Sequence, residues 1–235
     1  MDGSAAGVPF TRAGFIRGIR GGMAIVAGAI AYGLGFGVLA DQAGLGLGEA
    51  LMMSAIVNAG SAQLVALQVW REPVPLVALC LAVLAMNARY LLLGAALHPW
   101  FRTLSRVKAY GSLFVMGDGN WALAMREHAL GRRDAAFLLG SGVLMYVAWN
   151  GATVVGHTLG QAIGAPQRLG LDFLLPAFFA TLAVMMWRGK GDGFPLAVGA
   201  GVALIVERLI PGPWYVLAGG LAGAVAGGWR ASDER

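Results

Sequence analysis

The sequence predicts an all-α polytopic integral membrane helix bundle of seven to eight spans, some of them broken, and three observations carry that prediction. Hydrophobic residues make up 58% of the 235-residue chain and charged residues only 12%, where soluble domains carry about 25% charged. Mean hydropathy is +0.70. The uncharged stretches repeatedly reach bilayer length, which for a spanning helix is about 20 residues.

The elements follow in order. The first uncharged stretch, Gly21 to Ala40, follows Arg12, Arg17 and Arg20; it is too long for a cleaved secretory signal and reads as the first anchor. Ala50 to Trp70 is the second. Pro73 to Trp100 is interrupted only by Arg89, and Ala109 to Met125 holds one acid, Asp118, between Gly117 and Gly119. That stretch reads either as a short span or as a re-entrant segment. Ala135 to Gln167 is again long and uncharged; Phe173 to Trp187 follows Asp172, Gly193 to Val206 precedes Glu207, and Leu209 to Trp229 closes the series. The whole chain, 1–235, reads as a single membrane transporter domain, with 1–12 a flexible cytoplasmic N-terminus and 231–235 a cytoplasmic tail.

The 17 Lys and Arg against 12 Asp and Glu sit singly or in small clusters between apolar blocks, so they form loops at an anionic membrane face rather than a nucleic-acid patch. With the N-terminus inside and Ala109 to Met125 spanning, the inside collects Arg12, Arg17, Arg20, Arg71, Arg126, Arg132, Arg133, Arg188, Lys190, Arg230 and Arg235. Arg102, Arg106, Lys108, Arg168 and Arg208 then fall outside. The positive-inside rule therefore favours eight crossings with both ends cytoplasmic, with seven as the alternative. The sole cysteine, Cys80, provides neither a disulfide framework nor a metal motif.

Glycines recur at four-residue steps: Gly14, Gly18, Gly22; Gly156, Gly160, Gly164; Gly219, Gly223, Gly227. Such stripes let helix backbones approach closely where lipid removes the hydrophobic drive, and read as packing faces ahead of substrate linings. Gly33, Gly35 and Gly37 alternate instead, and predict a break or kink.

Polar residues inside spans are costly in hydrocarbon and need a partner or water. Ser54, Asn58, Ser61 and Gln68 fall on one face of a continuous helix, with Gln63 pointing elsewhere. The run Asn58 to Gln63 is also small and polar enough to unwind and expose carbonyls to a ligand; the plainer reading is that Asn58 and Gln63 bond neighbouring helices. Arg89 lies about 15 Å from the nearer end of its apolar stretch, too deep to snorkel easily. With Asn87 before it and Tyr90 after it, its guanidinium suits a carboxylate, from a substrate or from a protein acid such as Asp118 or Asp172. The two acids are also the candidates for proton coupling, Asp172 being the more interfacial. His98 and His157 read as isolated hydrogen-bonded histidines, with no second ligand at metal spacing; Trp149 and Trp214 read as packing or interface residues.

The chain has no P-loop, no H-E-x-x-H and no G-x-S-x-G, so it is not itself an ATP-driven pump and lacks the commonest hydrolase signals. Gly189-Lys190-Gly191-Asp192 spells the G-x-G-D of intramembrane proteases, but lies beside Arg188 with no Tyr-Asp partner in the chain and reads as a turn. A channel would need a continuous polar path, and the few scattered intramembrane polar groups argue against a wide one; an enzyme would need two convergent reactive groups, for which only Asp118 and Asp172 offer a remote pair, and both remain alternatives to a transporter.

Five segments carry a family resemblance: Gly33-Leu34-Gly35-Phe36-Gly37-Val38-Leu39-Ala40; Ala59-Gly60-Ser61-Ala62-Gln63; Asn87-Ala88-Arg89; Leu171-Asp172-Phe173-Leu174-Leu175-Pro176-Ala177; and Pro211-Gly212-Pro213-Trp214-Tyr215. In order and spacing the chain resembles the AzlC family, the large subunits of two-component branched-chain amino acid exporters, from about Gly14 to about Gly228. The resemblance implies proton-coupled export of apolar amino acids across a bacterial inner membrane, with a small AzlD-type membrane subunit, no cofactor and no metal; homo-oligomerisation stays open. Beside it, the intramembrane polar residues give Asn58, Ser61, Gln63, Asn87 and Arg89 as the candidates for substrate and Asp118 and Asp172 as those for protons. The chain departs from the family pattern at Tyr90, where a histidine is expected, and at Gly119, where an acid is expected.

Overall fold

The computed structural model describes residues 8–70, 73–162, 189–210 and 214–233, together with 173, 180, 184 and 187. The helices are α1 (Arg12–Gln42), α2 (Leu47–Val57), α3 (Gly60–Val69), α4 (Leu76–Asn87), α5 (Arg89–Phe101), α6 (Arg106–Phe114), α7 (Asp118–Ala129), α8 (Ala136–Gly160), α9 (Gly193–Leu209) and α10 (Trp214–Asp233). Among the described residues three helices are long and apolar enough to cross a membrane: α1, the run Leu76–Phe101 formed by α4 and α5, and α8. Large apolar side chains face outward, Leu91 and Leu92 being 77% and 74% exposed, as a lipid-facing surface requires. Asp172 and the expected span Phe173 to Trp187 fall outside the described residues, the four isolated positions apart.

The chain forms two compact units, Met1–Gln63 with Asn87–Leu171, and Leu64–Met86 with Asp172–Arg235. The first is organised by the pairing of α1 with α8. Gly18 stands opposite Phe137 and Ser141, Gly22 opposite Ser141 and Leu144, Gly33 opposite Ala152, and Gly37 opposite Thr153 and Gly156. Positions rise together along both helices, so the two run parallel. A Cβ at Gly18, Gly37, Gly140 or Gly156 would overlap a partner carbonyl oxygen; only glycine permits so close an approach. The four-residue stripes of Gly14, Gly18, Gly22, Gly156 and Gly160 are thus packing faces. Gly33 and Gly37 extend the same stripe rather than breaking α1, which is continuous from Arg12 to Gln42; spaced by four, they share a face, and the alternation with Gly35 carries no kink.

One acid pins the start of both helices. Asp134, 8% exposed, accepts hydrogen bonds from the Thr11 backbone and hydroxyl at the head of α1 and from the Ala136 amide at the head of α8, as favoured at helix N-termini. The N-terminal strand of chain closes this face. Val8 donates to Thr103 Oγ1 (3.3 Å), Lys108 lies over the Phe10 ring, Ala135 donates to the Pro9 carbonyl (2.9 Å), and Trp100 donates to the Arg133 carbonyl (2.8 Å).

These contacts correct the side assigned to one loop. Arg102, Arg106 and Lys108 lie with the N-terminal segment and with Arg132 and Arg133, not on the opposite face, so Ala109 to Met125 returns to the side it leaves. Of the two expectations for that stretch, the structure takes the re-entrant one. α6 and α7, 9 and 12 residues long, are each about half a bilayer in height, and the chain turns back between them at 115–117.

In the second unit α9 and α10 pack antiparallel, with Gly199 against Gly219 and Gly223 and Pro195 against Gly223 and Gly227. The Gly219, Gly223, Gly227 stripe is the packing face here. Lys190–Asp192 forms a single 3-10 turn before α9, the turn that the G-x-G-D string was read as.

Candidate functional site

Helix interruptions meet inside the first unit. Asn58 ends α2 in the left-handed region at φ 44°, a conformation that asparagine tolerates better than most residues. Its backbone N–H returns to the Ser54 carbonyl, while its side chain donates to the Phe114 carbonyl at the end of α6 (3.2 Å). The first break is thereby tied to the tip of the re-entrant hairpin.

Arg89 opens α5, halfway along the 26-residue run Leu76–Phe101. Its Nη2 donates to Ser61 Oγ in the first turn of α3 (2.8 Å) and pairs with Asp118 Oδ2 (2.9 Å). Asp118 is the first residue of α7, where the positive end of the helix favours a carboxylate. The pair remains reachable, with side chains 25% and 36% exposed. Two polar atoms beside it are buried and without partners: the Arg89 Nε donor and the Asn87 Oδ1 acceptor. A cavity of about 230 Å³ adjoins, lined by Val57, Asn58, Asn87, Tyr90, Gly94, Leu113, Phe114 and Met116.

The structure therefore brings together Asn58, Ser61, Asn87, Arg89 and Asp118. Gln63 goes elsewhere than a continuous helix would send it: it donates to Ser54 Oγ (3.0 Å), which also receives Trp149 Nε1 (3.3 Å) and meets Thr153 Oγ1 (2.9 Å). Thr153 donates to the Trp149 carbonyl, so Ser54 donates to Thr153. Ser54, Gln63 and Thr153 are fully buried, and this cluster ties α2 and α3 to α8. Gln68 is exposed. The break at Asn58 rotates α3 relative to α2, which is why Ser54 faces Gln63 and Ser61 faces Arg89. Trp149 stacks on Tyr32 and Phe36, a packing role.

Asn120 was not legible as a site residue. Its Oδ1 accepts from the Gly117 amide (2.6 Å), and its Nδ2 donates to the carbonyls of Val115 (3.2 Å) and Leu138 (3.4 Å). At 1% exposed it holds the hairpin tip, and with it Asp118, against α8. Asn120→Ala strands an amide and two carbonyls, and is expected to destabilise by about 2–4 kcal/mol. Ser112→Ala removes only a bond to the Lys108 carbonyl four residues back and is the near-neutral control; thermal unfolding in detergent compares the two.

A family model described as AzlC protein matches residues 24–163, a span that holds every residue of this site. The chain belongs to the AzlC family. It is 24% identical over 200 residues to the branched-chain amino acid transport protein AzlC of Bacillus subtilis, covering 84% of this chain and 78% of the relative. It is 27% identical over 219 residues to the inner membrane protein YgaZ of Escherichia coli, covering 90% and 88%. An uncharacterized membrane protein of Archaeoglobus fulgidus is 24% identical over 218 residues, covering 92% and 94%. No solved structure matches. Family and fold together make this AzlC-family chain a membrane protein of a transport family.

Proposed function

We propose that this chain is the large subunit of a proton-coupled secondary transporter exporting branched-chain or similar apolar amino acids across a bacterial inner membrane, together with a small AzlD-type membrane subunit. The observation that carries this reading is the Arg89 guanidinium, buried at its Nε without a partner yet balanced by Asp118, at the edge of a small cavity. Empty, the two charges neutralise one another. An entering zwitterion replaces that pair charge for charge: its carboxylate takes Arg89, and its ammonium takes Asp118 and the Asn87 Oδ1 acceptor. Val57, Gly94, Leu113, Phe114 and Met116 offer the apolar side chain its space.

In this reading Asp118 and Asp172 carry the coupling protons. A proton on Asp118 competes with the substrate ammonium for the same carboxylate, so protonation and substrate binding alternate there. The clustering of Arg12, Arg17, Arg20, Arg102, Arg106, Lys108, Arg126, Arg132 and Arg133 near the N-terminal face supports a cytoplasmic N-terminus.

Counterflow of labelled leucine in vesicles containing both subunits tests the reading. Isoleucine and valine are expected to compete, while isocaproate and leucine methyl ester, each lacking one charge, are not; competition by either charge-deficient analogue as strong as by isoleucine defeats the zwitterion mechanism. Gly94 refines the test, since a Cβ there meets nothing within 4 Å. Gly94→Leu adds bulk at the cavity wall, and should lower leucine counterflow about tenfold more than alanine counterflow, one methylene being worth about 1–3 kcal/mol of discrimination.

A further inference from the structure

Away from Arg89, the far end of the α1–α8 pair holds a second titratable cluster. His157, 3% exposed, has its Nε2 2.8 Å from the Leu45 carbonyl oxygen. A carbonyl only accepts, so Nε2 carries the hydrogen, and the lone pair of the neutral ring lies at Nδ1. That Nδ1 is buried and has no partner. The same Nε2 stands 3.8 Å from Oδ1 of Asp41, in the last turn of α1, whose side chain is 20% exposed. Missing side chains bring the two together: a Cβ at Gly37 would lie 2.6 Å from the His157 amide nitrogen, and one at Gly160 would lie 3.0 Å from Asp41 Oδ2.

The charged surroundings are sparse. Asp41 is the acid that α1 presents here, α8 contains no charged residue besides the histidine, and the one charged residue of α2, Glu49, is turned onto the Gly46 amide at 2.7 Å. Asp118, by contrast, is committed to Arg89. A buried acceptor without a donor, on a ring whose other nitrogen faces a partly wet carboxylate that no lysine or arginine among the described residues pairs with, is the chemistry of a proton acceptor.

We infer that Asp41 and His157 form a proton-binding site distinct from the Arg89 site. One proton, delivered by hydronium from the face where α1 ends, bonds to Nδ1 as its O–H bond breaks and water is released, and the resulting imidazolium is balanced by the Asp41 carboxylate. The pair passes from a net charge of −1 to neutral. Loading therefore favours closing this end of the bundle over Asp41, and unloading favours wetting it. The site rests on the transport reading only for what its proton is used for.

Nitrogen NMR of labelled histidine in the full chain in nanodiscs tests the binding directly. The chain has three histidines, and the signal absent from His157→Gln is that of His157. The expected result is an Nε2–H tautomer at high pH that gains a proton as the pH is lowered. Asp41→Asn should weaken proton loading, because the balancing charge is gone. A ring that stays neutral throughout, or a midpoint indifferent to Asp41→Asn, overturns the inference. In counterflow, His157→Gln keeps an amide donor for Leu45 and is expected to flatten the pH dependence while retaining the rate at high pH; an unchanged pH profile also counts against the site. If no protein moves leucine at any pH, the transport reading falls and the titration still decides the site.

Discussion

Arg89→Gln is expected to reduce leucine counterflow by about 100-fold, the scale on which losing one partner of a hydrogen-bonded charge pair is felt. Asp118→Asn should do nearly the same. Either single change also leaves an uncompensated charge, so reduced activity alone does not separate a structural pair from a substrate-binding one. The double variant does. With Arg89→Gln and Asp118→Asn together, no charge is stranded, and the thermal stability lost by each single variant is expected to return. Counterflow should not return, because the zwitterion has lost both of its partners. The exposure of the pair, 25% and 36%, already argues against a mainly structural purpose, since ion pairs so open contribute only about 1 kcal/mol or less where water reaches them. A double variant that transports at the native rate would reduce Arg89 and Asp118 to a packing device and remove the basis of the proposed mechanism.

Arg89 and Asp118 were legible because a charge inside an apolar run is conspicuous. Depth along the run and the need for a counter-charge then called for a carboxylate partner, with a substrate, Asp118 and Asp172 as the candidates. The unwinding near Asn58 was legible for the same reason, in a small and polar run. What the periodicity could not give was the consequence of that break. A helical wheel assumes one continuous helix, and the left-handed turn at Asn58 invalidates it for everything beyond, so Gln63 was sent to the wrong face. Asn120 stayed hidden because its role lies in bonds to Val115, Gly117 and Leu138, two of them in the hairpin tip and one in a neighbouring helix that its own sequence context does not announce. The loop from Arg102 to Lys108 was misplaced because charge counting presumes that each apolar stretch crosses. A stretch of Ala109 to Met125 that dips halfway and returns leaves no compositional trace of its direction. The glycine stripes announced close packing, yet only the fold shows that α1 and α8, distant in the chain, are the pair that uses them.

That pairing yields the second large effect. Gly156→Ala adds a single carbon, which would overlap the Leu34 carbonyl oxygen and lie 2.8 Å from its carbonyl carbon and 2.9 Å from its Cα. All three are backbone atoms of α1, so no rotamer change relieves the contact; the helices must separate. Overpacking ordinarily costs about 1–3 kcal/mol. Here separation also loosens the neighbouring approaches at Gly37 and Gly33, so a loss of about 3 kcal/mol is expected, read as a lower unfolding temperature in detergent. Because α8 also carries Thr153 and His157 against Ser54 and Leu45, counterflow should fall with it. Gly151→Ala is the internal control, lying in the same helix with nothing within 4 Å of the new carbon; there the helix gains about 0.5–1 kcal/mol from replacing glycine. Opposite signs from two identical substitutions five residues apart would locate the α1 contact on one face of α8, and equal unfolding temperatures for the two variants would refute the parallel pairing.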